Sequence, residues 1–159
     1  MPHYEIYATS IGNILIAEDD GQITHLSMEG CVDVSGMSRE ETPLLKQAAD
    51  MLRAYLAGER DAFAGLPLSP KGTQFQKRVW QALLEIPYGK TISYKQLAEA
   101  IGQPTASRAV GNANGKNPIF IIIPCHRVIG SGGSLTGFAY GVALKRELLA
   151  IERAAAVSG

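Results

Sequence analysis

The sequence lacks three features that would place it in common classes of protein. Only two cysteines, Cys31 and Cys125, occur in 159 residues, too few for the disulfide framework of a small secreted domain. The longest apolar run, residues 119–124, falls well short of the ~20 residues that cross a bilayer. No basic segment followed by an apolar stretch opens the chain, so we expect no signal peptide, no membrane partner and a cytoplasmic, intracellular location.

The chain also has no net charge, because its 15 basic side chains balance its 15 acidic ones. The two signs are nevertheless unevenly distributed along the chain. Residues 1–70 carry 4 Lys and Arg against 11 Asp and Glu, a net of −7, and residues 71–159 carry 11 against 4, a net of +7. Such asymmetry indicates that the second half meets a polyanion, although two domains that attract each other would give the same pattern.

Strand signals dominate the first part of the chain. Three short segments separated by turn residues, 3–9, 13–18 and 22–27, are typical of an antiparallel sheet. An amphipathic helix is predicted over residues 40–57, where apolar side chains recur at spacings of three and four.

A domain boundary is predicted at about residue 70. Glycine and proline accumulate over residues 58–72, where the charge also changes sign. This division gives a support domain at residues 1–70 and a second domain at residues 71–159. The second domain is predicted to contain three helices, an extended apolar segment, a glycine-rich loop and a last helix, at residues 73–84, 94–100, 105–113, 117–129, 130–141 and 142–155.

Two of these helices form a helix-turn-helix pattern in the basic half. Helices 94–100 and 105–113 are joined by a short turn that contains Gly102. The second helix consists mostly of small uncharged residues, and Arg108 is its only long charged side chain. Small residues permit close approach to a narrow groove while one long side chain enters the base stack, as in minor-groove binders. A packed helical hairpin without a DNA role is the alternative.

Cys125 and His126 form the candidate catalytic pair. A thiol near neutral pH is mostly protonated and must be activated to attack, and His126 and Arg127 offer a base and a cation. Adjacent side chains of a strand point to opposite faces, so a direct hydrogen bond between the two is not guaranteed, and a bridging water could complete it. In the alternative interpretation, Cys125 is a small buried hydrophobe. A disulfide to Cys31 is possible on paper, but the neighbours of Cys125 favour a free thiol.

The segment Pro124-Cys125-His126-Arg127-Val128 resembles the signature of the O6-alkylguanine-DNA alkyltransferases, or methylated-DNA–protein-cysteine methyltransferases. Further matches occur in family order and spacing over about residues 70–155: Trp80, Pro87-Tyr88-Gly89, Ile92-Ser93-Tyr94, Ser107-Arg108-Ala109-Val110-Gly111, Asn114-Gly115 and Asn117-Pro118. The first part of the chain is similar to the family in its size and its strand-then-helix character. The resemblance implies an α/β fold. In it, a small three-stranded antiparallel sheet with a helix, ribonuclease H-like, precedes a mostly helical, winged helix-turn-helix-like domain that carries the cysteine.

The resemblance also implies catalytic roles. Cys125 would take the alkyl group of O6-alkylguanine irreversibly, once per molecule, and acceptance of O4-alkylthymine stays open. His126 would deprotonate Cys125 through a water, and Glu152 would orient His126. Asn117 would link the recognition helix to the active-site segment. Tyr94 would rotate the 3′ phosphate of the target and donate a proton to the departing guanine.

The same resemblance names the partner, which is double-stranded DNA bound through its minor groove. Arg108 corresponds to the finger that replaces the flipped nucleotide in the stack. Thr105, Ala106, Ser107 and Asn114 would lie on or near the groove-facing helix. We expect no cofactor and a monomer in solution, with cooperative binding on DNA left open.

The loop after the cysteine departs from the family pattern. Many relatives have Tyr, any residue and Gly-Gly where this chain has Phe138-Ala139-Tyr140-Gly141. With Pro124, this loop would shape the pocket for the flipped base, so the range of accepted alkyl groups is open. His3, His25 and Cys31 could supply three metal ligands, but their spacing matches no standard site, and we predict no metal.

Two other functions compete with alkyl transfer. A helix-turn-helix regulator or lesion sensor would bind DNA without chemistry, although sensors of this kind lack the acceptor cysteine that Cys125 supplies. A Cys–His hydrolase would need an oxyanion hole and repeated turnover, neither of which the sequence specifies.

Overall fold

The N-terminal part of the chain forms a four-stranded sheet. The computed structural model describes residues 1–130, 132–133, 135 and 138–158. Strands β1 (His3–Thr9), β2 (Gly12–Asp19) and β3 (Gln22–Met28) form an antiparallel meander, and β4 (Ser38–Arg39) adds a short parallel edge in the order β3-β2-β1-β4. The three predicted strands are confirmed to within one residue at each end. The short β4 was missed because two polar residues carry no alternation signal.

Helix α1 (Pro43–Leu56) covers one face of this sheet. Proline occupies its first turn, and the Thr42 hydroxyl caps it by accepting from the Leu45 backbone N–H at 3.2 Å. The prediction began the helix at residue 40, three residues early, because Glu40 instead donates its backbone N–H to the Tyr4 carbonyl beside β1. The buried face of α1 consists of Leu45, Ala48, Ala49, Leu52 and Tyr55.

The second part of the chain is mostly helical, as predicted. Helices α2 (Gln74–Leu83) and α3 (Tyr94–Ala100) both begin with capping boxes, Thr73 with Gln76 and Ser93 with Gln96. Helix α4 (Ser107–Gly115) begins and ends two residues later than predicted, because its first turn has no side-chain cap and the turn before it extends to Ala106. The helix-turn-helix pattern is thus present as α3 and α4.

The apolar segment before and around the cysteine is not extended, so that prediction is wrong. Isolated bridges and tight turns fold residues 119–124 on themselves, with the Ile123 N–H bonded to the Ile119 carbonyl at 3.0 Å. Residues Cys125–Arg127 form one 3-10 turn, and β6 (Val128–Ile129) then pairs in parallel with β5 (Ile92–Ser93). A wholly buried apolar run has no periodicity that would distinguish a strand from a coil.

Helix α5 (Val142–Ser158) closes the fold and runs three residues beyond its predicted end. One hydrophobic core continues through both parts of the chain, from Ile14 of β2 through Trp80 of α2 to Leu148 of α5. The outer edge of β3 joins the parts directly, since Leu26 bridges to Ile119, and on the same edge Ile23 bridges to Leu68 just before the change of charge. Among the described residues, no helix is long and apolar enough to span a membrane.

Candidate functional site

The candidate site centres on Cys125, at the start of the 3-10 turn. Its side chain is 4% exposed, and both cysteines of the chain are free thiols. The side-chain amides of two buried asparagines hold this turn in place by hydrogen bonds to its backbone. Asn117 donates to the Ile123 carbonyl at 2.7 Å and accepts from the Ile119 N–H at 3.0 Å, while Asn114 donates to the Cys125 carbonyl at 3.3 Å. The position of the sulfur is therefore held by hydrogen bonds as well as by packing.

The environment of the thiol both opposes and supports its ionisation. Burial raises the pKa of Cys125 to about 11, while the Asn117 amide, the Lys145 ammonium and the backbone N–H groups of Cys125 and Ile121 act to lower it. Ile121 has a φ of 73°, an uncommon conformation for a β-branched residue. The thiol rests protonated, so attack requires a base, and the charge that forms then meets a ready set of donors.

The cation that faces the thiol is Lys145 of α5. Its side chain is fully buried, its Nζ donates to the Val128 carbonyl at 2.5 Å, and it lies over the rings of Tyr94 and Phe138. The sequence prediction gave this role to Arg127, which is wrong because the Arg127 guanidinium is engaged elsewhere. Helical spacing could have indicated Lys145, since residues 145, 148, 149 and 152 share one buried face of α5.

His126 and Glu152 form a buried pair directly behind the cysteine. His126 Nε2 lies 2.6 Å from Glu152 Oε2, and the side chains are 0% and 1% exposed. Burial lowers the pKa of His126, against the opposing effect of Glu152, so the imidazole is neutral near pH 7. A proton on Nε2 satisfies Glu152 and leaves Nδ1 as an acceptor. Nδ1 is buried and has no hydrogen-bond partner within the described residues.

Glu152 accepts hydrogen bonds from three groups besides His126. Burial alone would raise the pKa of Glu152, but hydrogen bonds from His126, Arg127 and Tyr55 bring it down to about 2. Arg127 donates through Nε at 2.8 Å and through a second nitrogen at 3.0 Å, and the Gly89 N–H donates at 3.2 Å. The Tyr55 hydroxyl donates at 2.5 Å. Glu152 is therefore an ionised anchor for His126.

Sequence reasoning missed Tyr55. In the sequence, Tyr55 occupies one of the regularly spaced apolar positions of the amphipathic helix. Its partner Glu152 lies 97 residues away in the chain. No local signal in the sequence links the two residues.

Tyr94 connects the site to the helix-turn-helix. It is the first residue of α3 and is half-buried, and Gly111 of α4 packs beside it, with 3.6 Å between the ring and the position that a Cβ would take. Burial and the nearby Cys125 both raise the pKa of Tyr94, which therefore keeps its proton at neutral pH. The structure thus brings Tyr94, Cys125 and Lys145 together.

The predicted DNA-contacting residues divide into two groups. Thr105 and Arg108 are exposed at the start of α4, with Ala106 and Ser107 half-buried beside them. Asn114 is 2% exposed and bonded to the cysteine turn. The DNA-contact role predicted for Asn114 does not fit this position, because a buried amide on the inner face of α4 cannot reach a groove.

The predicted pocket loop is described at Phe138–Tyr140, while residues 131, 134, 136 and 137 lie outside the described residues. Pro124 and Phe138 are buried, and Ala139 is exposed. The Tyr140 hydroxyl lies 2.6 Å from the Ser27 hydroxyl of β3, and its ring packs on Phe120 at 4.5 Å. Tyr140 therefore also connects the loop to the sheet. For the part of the chain described, no three His, Cys, Asp or Glu side chains cluster as a metal site requires.

Comparison with known proteins gives a consistent result along the whole chain. One family model, described as 6-O-methylguanine DNA methyltransferase, ribonuclease-like domain, matches residues 3–70, and another, 6-O-methylguanine DNA methyltransferase, DNA binding domain, matches residues 74–154. The methylated-DNA–protein-cysteine methyltransferase of Methanosarcina barkeri is 48% identical over 158 residues, covering 94% of this chain and 96% of that protein.

A second related protein and a solved structure indicate the same family. The constitutive methylated-DNA–protein-cysteine methyltransferase of Bacillus subtilis is 48% identical over 160 residues, covering 96% of each chain. A crystal structure of Mycobacterium tuberculosis OGT in complex with DNA superimposes with a TM-score of 0.87 at 44% identity, covering 96% of this chain and 94% of that one.

Proposed function

The chain belongs to the 6-O-methylguanine DNA methyltransferase family, and we propose that Cys125 is the residue that accepts the alkyl group. The protein is a DNA-repair methyltransferase that acts on methylated DNA through a cysteine, as its relatives are named. The observation that supports Cys125 is its setting. It is buried beside the Lys145 cation and next to a histidine whose Nδ1 is unpaired in the described structure. Cys31, in contrast, is exposed.

The first step of the proposed reaction is ionisation of the thiol. The Cys125 proton passes through a bridging water to Nδ1 of His126, whose Nε2 proton stays on the Glu152 side. The thiolate that remains is stabilised by Lys145, by the Asn117 amide and by nearby backbone N–H groups. These donors are held in place before the charge appears, so little reorganisation is needed.

The second step is a displacement at the alkyl carbon. The thiolate electrons form a carbon–sulfur bond as the bond between carbon and guanine O6 breaks. The released guanine anion takes a proton from the Tyr94 hydroxyl, and the Tyr94 phenolate then regains a proton from solvent. The product is a thioether on Cys125. Because the displacement has no easy reversal, each molecule turns over once.

The same proposal includes DNA binding through α4. A cysteine 4% exposed cannot meet a base inside a duplex, so the damaged nucleotide must leave the stack. The exposed Arg108 at the start of α4 would occupy the vacated space from the minor groove, with Thr105, Ala106 and Ser107 allowing close approach. Pro124, Phe138 and Tyr140 would line the pocket for the flipped base, with Ala139 at its outer edge.

We also propose how the chain is divided and in what state it acts. We place the division between support and DNA-binding domains at about residue 70, where the charge changes sign. We expect the protein to act as an intracellular monomer, and its cooperativity on DNA is open.

Intact-mass measurement tests the proposal. The protein is incubated with a duplex that carries O6-methylguanine, and the mass should rise by one methyl group per molecule. Cys125→Ser should gain nothing, while Cys31→Ser should behave like the unaltered protein. Binding of the lesion without a mass gain would favour the sensor, and repair of many lesions by one molecule would indicate a true turnover enzyme.

A further inference from the structure

We propose that Tyr55, on helix α1 of the N-terminal part, is a positioning residue that tunes the His126–Glu152 pair for its work as base. The inference rests on the proposed function of Cys125, since it concerns how the proton of that thiol is received. It gives the N-terminal part of the chain a direct share in the chemistry.

Tyr55 reaches the site from the last turn of α1. Its side chain is 2% exposed, and its ring packs against Phe63 at 5.6 Å and edge-on against Tyr88 at 6.4 Å. Its hydroxyl lies 2.5 Å from Glu152 Oε2 and 3.3 Å from His126 Nε2. Within the described residues, no other hydrogen bond of this hydroxyl is present. An apolar helix face needs only a ring here, so the buried hydroxyl calls for a separate explanation.

The positions of three polar atoms fix where the protons lie. Glu152 is ionised, so its Oε2 can only accept, and both the Tyr55 hydroxyl and His126 Nε2 must present hydrogen to it. Burial and the adjacent carboxylate raise the pKa of Tyr55 far above its ordinary value, so its phenol stays neutral. His126 is thereby held with its proton on Nε2 and with the lone pair of Nδ1 available to Cys125.

The hydroxyl also moderates the charge that His126 experiences. The groups around the pair are Glu152, Arg127, Lys145 and Tyr88, with Arg60 over the Tyr88 ring. Tyr55 neutralises part of the negative charge on Oε2, which weakens the attraction of Glu152 for a protonated imidazole. Without the hydroxyl, His126 would hold its proton up to a higher pH and would be a neutral base over a narrower range.

The chain provides a matched control for a Tyr55→Phe variant. Tyr7 is also buried in the N-terminal part, and its hydroxyl donates to the Glu41 carboxylate at 2.8 Å, a phenol–carboxylate bond of the same kind that touches no catalytic group. Tyr7→Phe therefore reproduces the loss of one such bond without affecting His126. Tyr55→Met, which keeps a large apolar side chain but has neither the ring nor the hydroxyl, repeats the test in a second background.

The first measurement is the single-turnover rate constant of methyl transfer as a function of pH. For Tyr55→Phe, the acid limb of the profile should move up by roughly one pH unit, with an about tenfold lower rate on that limb. Tyr7→Phe should leave the profile unchanged. A Tyr55→Phe protein that is slower at every pH with an unmoved limb would show a packing role only, and would overturn the inference.

The second measurement does not depend on methyl transfer. The imidazole of His126 is titrated by NMR in the protein without DNA and assigned by comparison with His126→Gln. Tyr55→Phe and Tyr55→Met should raise its pKa, and Tyr7→Phe should not. If the unaltered protein gained no methyl group, the proposed function would fail. The titration would still test whether Tyr55 affects the pKa of His126. An unchanged His126 pKa in both Tyr55 variants would overturn the inference by itself.

Discussion

The two parts of the chain differ in charge and in structure, yet both supply side chains to the site that we propose is catalytic. Residues 1–70 are acidic and built on a sheet, and residues 71–159 are basic and mostly helical. The second part supplies Cys125, His126, Glu152 and Lys145, and the first supplies the Tyr55 hydroxyl. The charge division therefore separates a basic part from an acidic part, but it does not separate chemistry from support.

Each part of the chain contains a buried glutamate, and replacing these two residues should give the largest difference in stability between the parts. Glu152 of α5 accepts hydrogen bonds from His126, Arg127 and Tyr55, whereas Glu18 of β2 accepts one from the Thr42 hydroxyl at 2.7 Å. Glu152→Gln leaves Arg127 without its counter-charge and should cost about 3 kcal/mol of the free energy of unfolding. Glu18→Gln should cost about 1 kcal/mol. Urea denaturation at pH 7 measures both, and equal losses would contradict the special place of Glu152.

The contribution of Glu152 to stability should also depend on pH. Because the pKa of Glu152 is lowered from 4.5 to about 2, its contribution to stability is complete above pH 4.5 and is lost as the pH falls toward 2. The unaltered protein should therefore lose more stability across that window than Glu152→Gln does. Denaturation curves at a series of pH values give the two slopes, and parallel slopes would mean that Glu152 is not held ionised by its partners.

A second, smaller contrast compares cations of the two parts. Arg108 is exposed at the start of α4, and Lys46 is exposed on α1, paired with Asp50. Arg108→Ala should slow repair of O6-methylguanine in a duplex about tenfold, equivalent to about 1.4 kcal/mol, and leave reaction with free O6-benzylguanine unchanged. Lys46→Ala should alter neither rate. Equal losses of Arg108→Ala on both substrates would show that Arg108 does not assist flipping.

The smallest effect is expected where the pocket loop touches the sheet. The hydroxyls of Tyr140 and Ser27 lie 2.6 Å apart across the two parts of the chain. A double-mutant cycle of Tyr140→Phe and Ser27→Ala should give a coupling of about 1 kcal/mol in the free energy of unfolding. Strictly additive losses would mean that this bond contributes nothing to holding the parts together.

The sequence allowed the regular elements to be predicted because their signals are local. Turn residues between short segments located β1, β2 and β3, and the Ser93–Gln96 capping box located the start of α3. The fold around the cysteine was not predictable in this way. Every residue from Ile119 to His126 is buried, so apolar periodicity carries no information on how that segment turns.

The site was predictable only where family motifs or adjacency mark it. Cys125 and His126 are neighbours in sequence, and Glu152 was recognised by resemblance. Tyr55 and Lys145 have ordinary helical settings, and their roles arise from contacts with residues 97 and 17 positions away. Long-range contacts of this kind depend on how the elements pack, which no single segment encodes.

The position of the transferred carbon tests the central claim most directly. The protein is incubated with duplex DNA containing O6-methylguanine, digested, and its peptides are sequenced by tandem mass spectrometry. We predict one methyl group on the sulfur of Cys125 and none on Cys31, with guanine restored in the DNA. A methyl group on Cys31, or a repaired duplex beside an unmodified Cys125, would contradict the account.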